Sequence, residues 1–93
     1  MRGAKLDKQN LRGQDLRSVN FAMADMAKAD LSGADLRGAT LAGAKLFATD
    51  LHAADLRGAN FEGANLTNAI LSDAQSEGAK FVAAIIPDGR RSE

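Results

Sequence analysis

An apolar residue stands at every fifth position for most of this chain. The series runs Leu6, Leu11, Leu16, Phe21, Met26, Leu31, Leu36, Leu41, Leu46, Leu51, Leu56, Phe61, Leu66, Leu71, Ser76 and Phe81. Only Ser76 departs from it. Two places before these residues alanine fills most positions, the exceptions being Gln9, Gln14, Val19 and Thr49, and Asp or Asn usually stands between the two. On an α-helix a step of five residues turns the chain by roughly 140° net, which scatters the series around every face and leaves no stripe to bury. On an extended chain residues two apart share a side, so the alanine and the leucine point one way and the Asp or Asn points the other. From the leucine to the next alanine is an odd step of three, so both face inward only if the chain bends between them. Each pentapeptide therefore predicts one short extended side and one corner.

The corner falls where glycine collects. Gly13, Gly33, Gly38, Gly43, Gly58, Gly63 and Gly78 all lie two places after the central apolar residue, as a type II turn with positive φ at its third residue favours. The number of corners in one coil follows from longer repeats. Ala-Asp-Leu-Arg-Gly-Ala occurs at Ala34 to Ala39 and again at Ala54 to Ala59, and Gln14-Asp15-Leu16-Arg17 echoes it one interval earlier. That interval is twenty residues, or four pentapeptides. The sequence thus predicts an all-β solenoid of about four coils, each of four pentapeptides, spaced by about 4.8 Å. It forms a single domain over residues 1–93, with repeats from about 4 to 86 and a short tail over 87–93.

Motifs such as Ala34-Asp35-Leu36-Arg37-Gly38, Ala59-Asn60-Phe61-Glu62-Gly63 and Ala64-Asn65-Leu66-Thr67-Asn68 resemble the A(D/N)LXX pattern of the pentapeptide-repeat proteins. The resemblance covers Ala4 to Phe81. It implies a right-handed quadrilateral β-helix with corners near ninety degrees. The ending Ile86-Pro87-Asp88-Gly89 is similar to the way many arrays of that family stop. Gln9, Gln14 and Val19 depart from the pattern, so the first coil is expected to be less regular.

Charge and composition narrow the function. Twelve Lys and Arg balance twelve Asp and Glu, which argues against a field strong enough to hold nucleic acid or an anionic membrane, and equally against an acidic DNA mimic. Without cysteine there is no disulfide framework, thiolate metal site or cysteine nucleophile. Polar residues interrupt every apolar run, so neither a signal peptide nor a membrane span is expected, and the chain is expected to be soluble and cytoplasmic. The predicted axis is filled by alanine and leucine, leaving no interior cavity for a substrate. No enzyme activity, cofactor or metal is expected. His52 stands alone at an outward position without a triad partner, and the repeated Asp residues are read as turn formers rather than catalytic carboxylates.

The surface carries the candidate sites. A coil of twenty stacks Arg17, Arg37 and Arg57 on one side and puts Arg12 and His52 on its neighbour. Such a ladder would meet a phosphate, a carboxylate or an acidic protein, unless Asp15, Asp35 and Asp55, two residues before each arginine, neutralise it rung by rung. An uncapped coil exposes strand edges and leucine, so one end is expected to dock on a protein partner or a second copy. Ile70, Phe81, Val82, Ile85 and Ile86 form the expected docking end, or else a lid over the last coil. Ser76 is expected inside that coil.

The leading functional expectation is a noncatalytic protein-binding or scaffold module. The resemblance implies one alternative, a DNA-mimicking inhibitor that shields a topoisomerase (gyrase) from quinolones, for which a long acidic rod is expected. A further alternative is an accessory structural subunit of a larger assembly.

Overall fold

Every pentapeptide contributes three extended residues, and the middle one pairs with its counterpart twenty residues later. The computed structural model describes residues 2–87. Single-residue parallel bridges run in unbroken order from Lys5 with Asp25 to Asn65 with Ile85, all at the same interval. Four sides therefore close one coil. Inward positions stack in four columns: Leu6, Met26, Leu46, Leu66 and Ile86 on the first side, and Leu11, Leu31, Leu51 and Leu71 on the second. The third side carries Leu16, Leu36, Leu56 and Ser76, and the fourth Phe21, Leu41, Phe61 and Phe81.

Following the backbone amides of one repeat explains its grammar. The Asp30 amide donates to the Gln9 carbonyl of the coil before at 2.9 Å. Those of Leu31 and Gly33 donate to the Asp50 and His52 carbonyls of the coil after, at 2.8 and 2.9 Å. The Ala34 amide donates across the corner to the Leu31 carbonyl at 3.0 Å. That leaves the Ser32 amide, which has no carbonyl in reach and donates instead to Asp30 Oδ1 at 3.0 Å. The Asp or Asn of the repeat supplies this fifth bond, an Asx turn. Asp15, Asp25, Asp35, Asp50 and Asp55 do the same. With three bonds to the next coil on each of four sides, the junction between the second and third coils carries twelve.

The third residue of each turn takes positive φ, at every fifth position from Gly3 to Ala83. Eight of these residues are glycine and nine are not, Ala48 (φ 57) and Ala53 (φ 59) among them. The turns are thus type II whether or not glycine is present, so the inter-coil ladder imposes the corner on residues that do not prefer it.

Burial grades along the axis. Met26, Leu31, Leu36, Leu41, Leu46, Leu51, Leu56, Phe61 and Leu66 are all 0% exposed, whereas Leu6, Leu11, Leu16, Leu71 and Phe81 in the end coils are half-buried. Each large side chain closed off in the middle contributes roughly 1.5 to 3 kcal/mol. Thr49, in an alanine position, satisfies its buried hydroxyl by donating to the Met26 carbonyl at 2.7 Å. Phe81 stacks on Phe61 with ring centroids 5.1 Å apart and planes 5° from parallel.

Three expectations change. Ser76 is exposed rather than interior, because no described coil lies above it. The register begins before Ala4, since Gly3 already has φ 69 and donates to the Ala22 carbonyl at 2.8 Å. Ile85 and Ile86 do not fold over the last coil as a lid; Ile85 bridges Asn65, and the Ile85 and Pro87 carbonyls accept from Leu66 and Asn68, starting a fifth level on the first side. Of the expected tail, Asp88 to Glu93 lie outside the described residues.

Candidate functional site

The third side holds the arginine ladder, and each rung is closed by its own aspartate. Residues two apart project from the same side of the extended stretch, so Arg17 reaches Asp15 with both Nε (2.9 Å) and Nη2 (2.8 Å). Arg37 meets Asp35 at 2.9 and 2.7 Å, and Arg57 meets Asp55 at 2.8 and 2.6 Å. These are bidentate pairs, the strongest geometry open to the two groups. The rungs also interlock: Arg17 Nε lies 3.8 Å from Asp35 Oδ2, and Arg37 Nε 3.6 Å from Asp55 Oδ2. Charges therefore alternate along the side. On the next rung Gln75 and Glu77 replace the Asp and Arg, so the ladder ends on an acid.

Electrostatics follow the geometry. The Arg17 side-chain bond, reinforced by the Arg17 backbone amide, brings the Asp15 carboxyl down to about 2. Asp35 and Asp55 are lowered first by their own arginines in the same way. All three guanidinium groups are raised by their aspartate partners. The arginines remain partly exposed, with outer faces turned to solvent.

On the second side Arg12 lies 3.8 Å from Asp30 Oδ2, while His52 sits two levels away with Ser32 between them. Arg12 and His52 therefore share a side, as expected, without being adjacent rungs. His52 Nδ1 is 2.8 Å from the Ser72 hydroxyl, a partner that the interval of twenty could have identified. Asp50 accepts from the His52 backbone amide, not from the ring, so no relay of carboxylate, imidazole and hydroxyl is assembled. Among the described residues no group of His, Asp and Glu could hold a metal ion.

The expected docking residues divide into two sets. Ile70 and Val82 are exposed on the second and fourth sides, and Ile85 occupies the outward position of the first. Phe81 and Ile86 point to the axis, where with Leu66, Leu71, Ser76 and Pro87 they line an apolar concavity of about 220 Å³ in the open end.

The chain matches the family model described as pentapeptide repeats in eight overlapping copies, over residues 1–33, 15–52, 24–63 and 44–81. It belongs to the pentapeptide-repeat family. Among solved structures, it is similar to a pentapeptide-repeat protein of Nostoc PCC 7120, alr5209, with 41% identity and a TM-score of 0.83, covering 86% of this chain and 66% of that one. Rfr23 from the cyanobacterium Cyanothece 51142 is 36% identical with a TM-score of 0.72, over 84% of this chain and 56% of its own. HetL, a Nostoc sp. strain PCC 7120 protein involved in heterocyst differentiation regulation, is 33% identical with a TM-score of 0.60, over 95% and 43%. The chain thus spans less than two thirds of the length of each. Comparison with curated proteins returns no match. All three are pentapeptide-repeat proteins, the family whose motif the sequence resembles.

Proposed function

We propose that this chain is a noncatalytic scaffold or protein-binding module, a rigid right-handed tower whose sides and ends present side chains to a protein partner. The observation that carries the reading is the closed axis. From Phe21 to Leu66 the central side chains of every column are exposed by no more than 1%, so the interior offers a substrate no space shielded from water. Function is then left to the sides, whose outward residues are held in register by the inter-coil hydrogen bonds. A relative of the same family, HetL, takes part in a regulatory process, which suits a module of this kind. The DNA-mimicking alternative is disfavoured by the third side, where arginine alternates with aspartate instead of forming a row of like negative charge. Among the described residues no helix is long and apolar enough to cross a membrane.

Affinity capture from the source organism tests the proposal, followed by titration of the purified captured protein against the wild type and R17Q/R37Q/R57Q. A saturable complex is expected. Its affinity should be unchanged in the triple variant, because the guanidinium groups are already engaged by their own aspartates. If no captured protein binds when purified, the module reading fails.

A further inference from the structure

We propose that the first side of the tower is the docking face for a protein partner, and that it takes an extended acidic segment carrying an apolar residue. This rests on the protein-binding reading and names the side and the chemistry of the partner. Three observations carry it: where cations are left unpaired, where an aromatic ring is left outside, and how the four sides differ in sign.

The arginines of the second and third sides have partners, and the lysines of the first side do not. Among the described residues every ion pair is made by Arg12, Arg17, Arg37 or Arg57. Lys5, Lys8, Lys28 and Lys45 all stand on the first side, are exposed, and make no ion pair among the described residues. Asp25 bridges to Lys5 on one coil and Lys45 on the next, but it is half-buried and its Oδ1 accepts from the Ala27 amide at 3.2 Å. Its carboxylate is thus committed to its own corner. Asp7 is the other acid of this side.

The same side holds the one phenylalanine that the repeat turns outward. Phe21, Phe61 and Phe81 occupy axial positions, whereas Phe47 stands one place after Leu46 and is 40% exposed. Its neighbours in the outward column, Ala27 and Thr67, are smaller, and the Thr67 hydroxyl is engaged by Asn65 Oδ1 at 2.6 Å. Lys45 precedes Phe47 by two residues and so projects from the same side of the extended stretch. The Lys28 amide donates to the Phe47 carbonyl at 2.9 Å, which fixes that corner beside it. An apolar ring with unpaired cations around it has the make-up of a small interface, an aromatic centre inside a polar rim.

Sign selects the partner. Among the described residues the first side carries its four lysines against Asp7 and Asp25, a net of +2. The second carries Arg12 against Asp30, Asp50 and Asp73, a net of −2 with His52 neutral. On the third each arginine is offset by its own aspartate and Glu77 is left over, a net of −1, and on the fourth Lys80 offsets Glu62. An acidic stretch confined to the first side is attracted there and repelled by the second and third. A long polyanion such as nucleic acid would meet the acidic sides as well, so the distribution favours a short stretch of protein. The levels of Lys8 and Phe47 are two coils apart, about 10 Å, which three or so extended residues span. Contacts between exposed charges are screened over about 8 to 10 Å at physiological ionic strength, so affinity should fall as salt rises.

Fluorescence anisotropy on the full chain tests the face, with a fluorescein-labelled peptide of glutamates around a central leucine as the probe. A peptide of the same design with lysines, and a single-stranded thymidine oligonucleotide, are the controls. The acidic peptide should bind saturably. An exposed charge contact is worth a factor of about two to five, so K28Q/K45Q should weaken binding at least threefold, F47A should weaken it comparably, and R17Q/R37Q/R57Q should leave it unchanged. Circular dichroism checks that each variant is folded; K45Q alone, at a position without positive φ, replaces the pair if it is not. No saturable binding up to about 1 mM, undiminished binding by K28Q/K45Q or F47A, or equal binding of the lysine peptide would each overturn the proposal. Tighter binding of the oligonucleotide would overturn it in favour of nucleic acid. A captured protein that binds wild type and K28Q/K45Q equally would sink this face and leave the scaffold reading standing, since that reading fails only when no captured protein binds at all.

Discussion

Replacing Ala53 with glycine should stabilise this protein, the reverse of what Ala→Gly does in most structured positions. Ala53 holds φ at 59° in an exposed corner, a conformation that places Cβ against the following carbonyl and costs an L-residue about 1 to 2 kcal/mol. Glycine removes that strain but adds freedom to the unfolded chain, worth about 0.4 to 1 kcal/mol in the other direction. The difference leaves a gain of about 0.5 to 1 kcal/mol, a rise in Tm of roughly 2 to 8 °C for a domain of this size. Gly33→Ala supplies the mirror experiment. A Cβ built at Gly33 (φ +68) meets nothing within 4 Å, so its cost is purely torsional, and a loss of similar size is expected. Gly43→Ala should lose more, because its Cβ would collide with the Met23 sulfur and displace that side chain. Thermal and urea unfolding by circular dichroism read all three. A destabilised A53G, or a neutral G33A, would refute the view that inter-coil hydrogen bonds hold these corners against local preference.

Core truncation should follow the burial gradient: Leu36→Ala, in the sealed middle, should cost about 2 to 5 kcal/mol, and Leu11→Ala, half-buried in the first coil, less than half as much in denaturant unfolding. Thr49→Val should cost about 1 kcal/mol, since it removes the hydroxyl's bond to the Met26 carbonyl, which still accepts from the Ala29 amide at 3.0 Å. The ladder predicts an acid limb. The folded carboxyl of Asp15 titrates at about 2, below the unfolded value of about 3.9, so its contribution is complete above that unfolded value and disappears as pH falls through about 2. Asp35 and Asp55, also lowered, act in the same direction. D15N/D35N/D55N keeps a side-chain acceptor for each corner amide while removing the charge, so stability measured from pH 6 to 2 should vary less steeply than in wild type.

The columns of the interior were legible because they depend on one local rule repeated without interruption, and the arginine pairs were legible because a spacing of two fixes their side. What escaped depends on neighbours a coil away. Ser76 obeys the period and still faces solvent, since burial requires a layer above it. Ala48 and Ala53 carry no turn signal, yet adopt the glycine conformation because the rungs on either side demand it. The His52 contact with Ser72 needed the register, not the pattern of five, to be found. Arg12 and His52 share a side as expected, but the level occupied by Ser32 keeps them apart.

The Asx turn has a consequence for how the tower comes apart. Ile70, Gln75, Lys80 and Ile85 occupy the Asp or Asn positions of the last rungs, and the amides of Ser72, Glu77 and Val82 that such side chains would have held are without a protein acceptor among the described residues. Loosening should therefore start there and travel toward the middle, giving hydrogen-exchange protection that climbs level by level from Val82 down to Leu51. A partner seated on that end would act as a clamp on the most labile turn.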